Sequence, residues 1–231
     1  MIKRIFFLFL LFMSASALAV SMAERRALNA PRGFDDNMPQ LVQYLTDNMS
    51  DTTDKAEAIA VWIASHIAYD HDTFDAQTQQ WVRKISREEQ SAKQVLKDKI
   101  GVCSGFADLY EKMLHLAGIR SEKITGYVVE GASSKMNAKT ILKKKSTGHV
   151  WNKVYIPGKP SIYVDTTWMS RGRFYLNQRR HTEVKRRQEI RKTKREHKSH
   201  DYDMDYFNFT YDDLMRHGEY RFNDTRQLIQ K

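Results

Sequence analysis

Residues Ile100–Val129 read IGVCSGFADLYEKMLHLAGIRSEKITGYVV, and the hydrophobic period changes once along them. Phe106, Leu109, Tyr110, Met113, Leu114 and Ala117 recur at steps of three and four, the spacing of one buried helix face. Gly118 follows, where a helix needs a residue that can turn left-handed. Lys123–Val129 is β-branched and aromatic and predicts a strand. The helix begins at Cys103, the only cysteine in the chain, directly after Gly101-Val102. A thiol at that position meets unpaired backbone N–H groups and the positive end of the helix dipole, and both favour thiolate. A buried, inert cysteine is the competing reading.

Working outward, Lys55–Tyr69 carries Ile59, Ile63 and Ile67 at steps of four, with Ala56, Ala60 and Trp62 widening the stripe. This predicts a core helix, with N-caps on offer in Asp51–Asp54. Pro39–Met49 and Ser91–Lys97 predict two short helices, residues 20–37 an irregular lead-in, and residues 70–90 a loop or peripheral helix. On the C-terminal side, residues 131–147 predict a polar loop. His149–Ile156 and Ser161–Trp168 predict two strands. Helices come first and strands follow, which is α+β order, with N-terminal helices packed on an antiparallel sheet.

The link between those two strands decides a chemical question. If it is Ile156–Pro160, Tyr155 lies opposite Ser161 and His149 opposite Thr167. Asp165 then shares a face with His149, one diagonal away at roughly 7–8 Å. A link one residue shorter would send the two to opposite faces.

The length, 231 residues, suits one domain with a core, and 11% aromatic content argues against wholesale disorder. A single Cys excludes an intramolecular disulfide and a cysteine-based zinc finger. Lys3 and Arg4 precede the apolar run Ile5–Met13, and Ala17-Leu18-Ala19 forms an A-x-A cleavage pattern. We therefore expect residues 1–19 to be a signal peptide and the mature chain to be exported, periplasmic or secreted; an N-terminal membrane anchor is the alternative, although the run is short for a span. The net charge of +10 is local: residues 171–198 hold twelve Lys/Arg and three Glu, leaving 38 − 12 = 26 basic against 28 − 3 = 25 acidic residues elsewhere. The expected organisation is a helical lead-in over 20–54, a core over 55–170, a basic insertion or helix over 171–200, and an aromatic and acidic segment over 201–231 packing on the core. A solvated insertion and electrostatic docking to an anionic envelope surface both fit the basic stretch, densest at Arg179, Arg180, Lys185, Arg186 and Arg187. Nucleic acid is not an expected partner of an exported chain.

Five blocks then carry a resemblance: KAEAIAVWIASHIAYD (Lys55–Asp70), the Gly101-Val102-Cys103-Ser104-Gly105 turn, the Ala117-Gly118-Ile119 corner with its Gly126-Tyr127 strand, GHVWNKVYI (Gly148–Ile156) and IYVDTTW (Ile162–Trp168). In this order they resemble the transglutaminase-like superfamily, most of all its branch related to kyphoscoliosis peptidase. A weaker echo is YFNFTYDDLMRH, Tyr206–His217. The resemblance implies a papain-like α+β fold with Cys103 as nucleophile, His149 as general base and acid, and Asp165 orienting the imidazole. Tyr69 is implied as an oxyanion donor beside the Cys103 N–H. Trp151 and Trp168 are candidates to shape a substrate groove, with core packing the competing reading for both. The implied activity is acyl transfer or hydrolysis on protein or peptide amides through a Cys103 thioester, with no cofactor and no metal. A non-catalytic scaffold or binding module on the same fold is the alternative. Among rival bases, His115 lies twelve residues after Cys103 on one helix and cannot reach the thiol; His66 and His71 remain. Tyr69-Asp70-His71-Asp72 is a weak metal motif.

Overall fold

The computed structural model describes residues 20–34, 37–70, 73–75, 80–130, 136, 140, 147–170, 202–210, 212–213 and 219–222. The expected signal peptide, the basic stretch, His71 and nearly all of the 131–147 loop lie outside the described residues. Among the described residues no helix is long and apolar enough to cross a membrane.

The lead-in is more regular than expected. Helix α1, Met22–Leu28, begins with a capping box: Ser21 Oγ accepts the Glu24 N–H, and the Glu24 carboxylate accepts the Ser21 N–H. Its Ala23 and Ala27 are buried, and small side chains at that spacing let α1 lie close on α3, Thr52–His66. The Ser21 hydroxyl also donates to Glu57 on α3 at 2.7 Å. Helix α2, Met38–Thr46, buries Leu41, Val42 and Leu45.

The two helices expected to form the core do so. In α3, capped by Asp51, Ile59, Ile63 and Trp62 are buried, and Ile67 closes the helix as its buried C-cap. Helix α4, Ala92–Asp98, is capped by Ser91. Helix α5, Cys103–Leu116, buries Phe106, Leu109, Tyr110, Met113 and Leu114. It crosses α3, and the Tyr110 hydroxyl donates to the Ala56 carbonyl at 3.1 Å. At its end Gly118, at φ 74°, turns the chain. The Ile119 N–H returns to the Leu114 carbonyl and the Gly118 N–H to His115, the paired bonds of a Schellman stop.

Two short pairings differ from expectation. The chain leaves α3 at His66 and forms strand β1, Ala68–Tyr69, parallel to β4, Ile100–Gly101. The bond from the Asp70 N–H to the Gly101 carbonyl, 2.9 Å, extends that pairing to within two residues of Cys103. Residues 70–90, expected as loop or peripheral helix, contain an antiparallel pair, β2 at Phe74–Asp75 and β3 at Gln80–Trp81.

The main sheet is antiparallel: β5 (Ser121–Glu130), β6 (Thr147–Val154), β7 (Ile162–Val164), β8 (Phe207–Phe209) and β9 (Glu219–Phe222), in the order β8-β7-β6-β5-β9. Asn152 pairs with Val164 and Val154 with Ile162, the register that a five-residue link requires. Lys159 in that link is tied to the α3 cap by a 2.6 Å ion pair with Asp51; this bond and the Thr53 N–H hold the Asp51 carboxyl down to about 2. One expectation is corrected: the second strand ends at Val164, and Asp165 is the N-cap of a short helix, α6, Thr166–Met169. An Asp with three backbone N–H groups ahead of it is better satisfied as a cap than as a ladder member.

Candidate active site

The site forms where the start of α5, the start of β6 and the cap of α6 converge. The Cys103 side chain is partly exposed and forms no disulfide. Its N-cap, Val102, offers no side-chain acceptor to the first turn of α5, so no capping side chain competes with an anion for the Cys103 and Ser104 N–H groups.

His149 is 7% exposed and Asp165 1%. Asp165 uses both oxygens. Oδ1 accepts the Trp168 N–H at 3.1 Å and caps α6, while Oδ2 lies 2.7 Å from His149 Nε2. The Asp165 N–H donates to the Tyr206 carbonyl at 3.0 Å, so β8 and its entry turn hold the carboxylate's backbone. With Nε2 taken, Nδ1 is the imidazole nitrogen left for the thiol, and Cys103 is near enough to act on the ring. Burial pushes the imidazole down. The Asp165 charge and hydrogen bond outweigh it, with Cys103 adding to them, and the net result holds His149 up to about 9. Imidazolium is therefore the resting form at neutral pH.

Tyr69 reaches this centre through the β1–β4 pairing, which sets it opposite Gly101. The ring is buried and lies 6.5 Å from Phe106, centroid to centroid. Burial first, and then the charges of Cys103, Asp70 and Asp165, push its hydroxyl far above the ordinary tyrosine range. It remains a protonated donor at any working pH. Asp70 itself accepts from both the Thr73 N–H and hydroxyl and pairs with Arg83 at 3.7 Å.

The two tryptophans part company. Trp151 is fully buried, its ring nearly parallel to the imidazole at 6.0 Å. It backs the histidine and offers no surface to a substrate. Trp168 is partly exposed, meets His149 edge-on at 6.0 Å and packs on Tyr206 at 5.5 Å. It is the aromatic that can border a groove. His66 is held by its own helix, with Nδ1 2.9 Å from the Trp62 carbonyl and its ring stacked on Trp62. His115 is exposed in the last turn of α5. Among the described residues no three His, Cys, Asp or Glu side chains cluster as a metal site would require.

Sequence reasoning missed Gln90 and the β1–β4 pairing. Gln90 is buried, and its Oε1 accepts the Val102 N–H at 2.9 Å. No periodicity marks a lone glutamine, and a two-residue strand is too short to show alternation.

The family model described as Transglutaminase-like superfamily matches residues 39–170. Among curated relatives, kyphoscoliosis peptidase of Homo sapiens is 27% identical over 143 residues, 62% of this chain and 19% of that one. Its Mus musculus counterpart is 28% identical over 131 residues, 57% of this chain and 18% of that one. The chain thus spans less than a fifth of the length of either. A solved structure described as a TGase is 18% identical, with a TM-score of 0.42, and the match covers 74% of this chain and 37% of that one.

Proposed function

The chain belongs to the transglutaminase-like superfamily, and from that premise we propose that it is a cysteine enzyme that cleaves or exchanges protein or peptide amides through a Cys103 thioester. The observation that carries this reading is the buried His149 imidazole held 2.7 Å from the Asp165 carboxylate, with Cys103 near enough to act electrostatically on the same ring. A relative named as a peptidase supports the same direction.

Cys103 Sγ, its proton resting on His149, attacks the amide carbonyl carbon. The negative charge that develops on oxygen meets the Cys103 N–H and the Tyr69 hydroxyl, preorganised donors of the type worth roughly 2.7–4 kcal/mol each. The C–N bond breaks, His149 gives its proton to the leaving amine, and the thioester remains. Water or an acceptor amine then attacks the thioester, passing a proton to the now neutral imidazole, and the thiol is released. A His149 held protonated up to about 9 suits the first half, because the leaving amine needs an acid at hand. Trp168 borders the position of the leaving or entering amine, beside the imidazole edge. Water is the acceptor we favour, since it is the default unless a closed groove excludes it. Export after loss of residues 1–19 and docking of the basic 171–198 stretch to an anionic envelope surface belong to the same reading and rest on sequence alone.

The test is mass spectrometry of cell-envelope proteins exposed to the mature chain and to Cys103→Ala, with a supplied primary amine. New termini mark proteolysis, amine adducts mark transamidation, and conversion of Gln to Glu marks deamidation. Any of these that disappears in Cys103→Ala supports the proposal. Identical spectra in every channel would replace it with the non-catalytic module.

A further inference from the structure

The loop that presents Cys103 is held from outside the helix. Val102 is the N-cap of α5 but has no capping side chain. The bond that pins it comes from Gln90, twelve residues earlier, whose Oε1 accepts the Val102 N–H at 2.9 Å. A backbone N–H can only face the amide oxygen, so this contact fixes which end of the Gln90 amide is which. Nε2 must point the other way, and among the described residues it has no acceptor. Gln90 lines a groove of about 320 Å³ together with Ile85, Ser91, Ser104, Asp108 and Lys123. Ser104 directly follows the nucleophile. Asp108 is already committed, to the Ala92 N–H and to Lys123, which leaves Gln90 Nε2 and the Ser104 hydroxyl among the groove's uncommitted polar groups.

The glycines on either side of Cys103 are explained by the same side chain. A Cβ on Gly105 would overlap Gln90 Oε1 and come within 2.8 Å of Val95 Cγ2; one on Gly101 would press on the same two side chains at 3.2–3.3 Å. The space that these glycines leave is the space Gln90 occupies. Their spacing around the cysteine is thus matched to a buttress that no local pattern reveals.

We infer that Gln90 is the positioning residue of the nucleophile loop, and that its outward N–H₂ donates to a main-chain carbonyl of a peptide substrate lying in the Ser104 groove. The inference rests on the proposed cysteine chemistry and deepens it: the substrate is an extended peptide rather than an isolated small amide, and its binding is coupled to the aim of the nucleophile through one planar amide.

Two probes separate the two ends of that amide. Iodoacetamide is too small to use the groove and reports the thiol; acetyl-tetra-alanyl chloromethyl ketone reports thiol and groove together. Each rate is taken at the plateau of its own pH profile, so that added charge is not mistaken for a lost donor. Gln90→Glu keeps the acceptor for Val102 and loses the donor. It should alkylate with iodoacetamide within about twofold of wild type and capture the peptidyl reagent about 2- to 10-fold more slowly, the range for one neutral hydrogen bond. Gln90→Met loses both ends, and both rates should fall, the first by about tenfold or more as the thiol loses its aim. Gln90→Asn, which draws the amide back by one methylene, should show the same double loss if Gln90→Met fails to fold. A wild-type peptidyl rate in Gln90→Glu overturns the substrate contact, and a wild-type iodoacetamide rate in Gln90→Met or Gln90→Asn overturns the positioning role. If the wild-type chain itself labels no faster than His149→Ala with either reagent, the cysteine chemistry fails first and the Gln90 inference falls with it.

Discussion

Replacing Asp165 by Asn separates two jobs that one carboxylate performs. Asn is as good an N-cap as Asp, so the Oδ1 bond to the Trp168 N–H can persist and α6 should stay in place. What is lost is the negative charge 2.7 Å from His149 Nε2. Holding a buried imidazole up to about 9, against an ordinary 6.5, corresponds to on the order of 3 kcal/mol in favour of the protonated ring. Without the charge, burial is the dominant influence on His149, and it acts downward. The His149 titration should therefore move from near 9 to at or below 6.5. The linkage sign follows: a base raised in the folded state adds stability that is fully present below about 6.5 and is lost as pH rises through about 9. The melting temperature of wild type should thus exceed that of Asp165→Asn most clearly at pH 6, with the gap narrowing toward pH 9.5. The assay is an NMR titration of the histidine ring signals, with His149→Ala assigning the resonance, run beside thermal melts at both pH values. An Asp165→Asn protein whose His149 still titrates near 9 would refute the claim that this carboxylate holds the imidazole charged.

Three other changes test separate parts of the account. Tyr69→Phe removes the hydroxyl and leaves the buried ring against Phe106; turnover on any amide substrate found should drop by about 10²–10³ in kcat, with KM little changed. Asn152 donates to the Ala107 carbonyl at 3.1 Å while its buried Oδ1 has no partner, so Asn152→Leu should shift urea-unfolding stability by no more than about 1 kcal/mol, the lost bond offsetting the lost orphan. Gly105→Ala forces a methyl into the space of Gln90 and Val95 and should cost about 1–3 kcal/mol in the same assay, together with a slower Cys103.

Much of the architecture is legible in local pattern. The isoleucines of α3 and the apolar face of α5 announce their helices because each buries a stripe long enough for the 3.6-residue period to repeat. Gly118 marks its own stop. The Ile156–Pro160 link sets a register in which His149 and Asp165 share a face, and the observed pairs follow it. Other features depend on partners distant in sequence. Tyr69 comes beside the α5 start because two residues of β1 pair with two of β4, too few to alternate visibly. Asp165 looks like a strand residue until the backbone N–H groups of α6 claim it. Trp151 and Trp168 are equivalent as letters, yet one is fully buried on β6 and the other is partly exposed on a four-residue helix. Helix α1 had a readable signal in Ser21 and Glu24, but its buried face is only two alanines, too small a stripe to stand out by hydrophobicity. Gln90 matters only through its contact with Val102, which no spacing rule anticipates.

The central claim is that an imidazole aimed by Asp165 activates Cys103. Its most direct test is the second-order rate of Cys103 carboxamidomethylation by iodoacetamide at pH 7, followed by intact-mass spectrometry in wild type and in His149→Ala. The account predicts fast modification of the wild-type thiol and a loss of about tenfold or more in the variant. Equal, slow rates in the two proteins would contradict it.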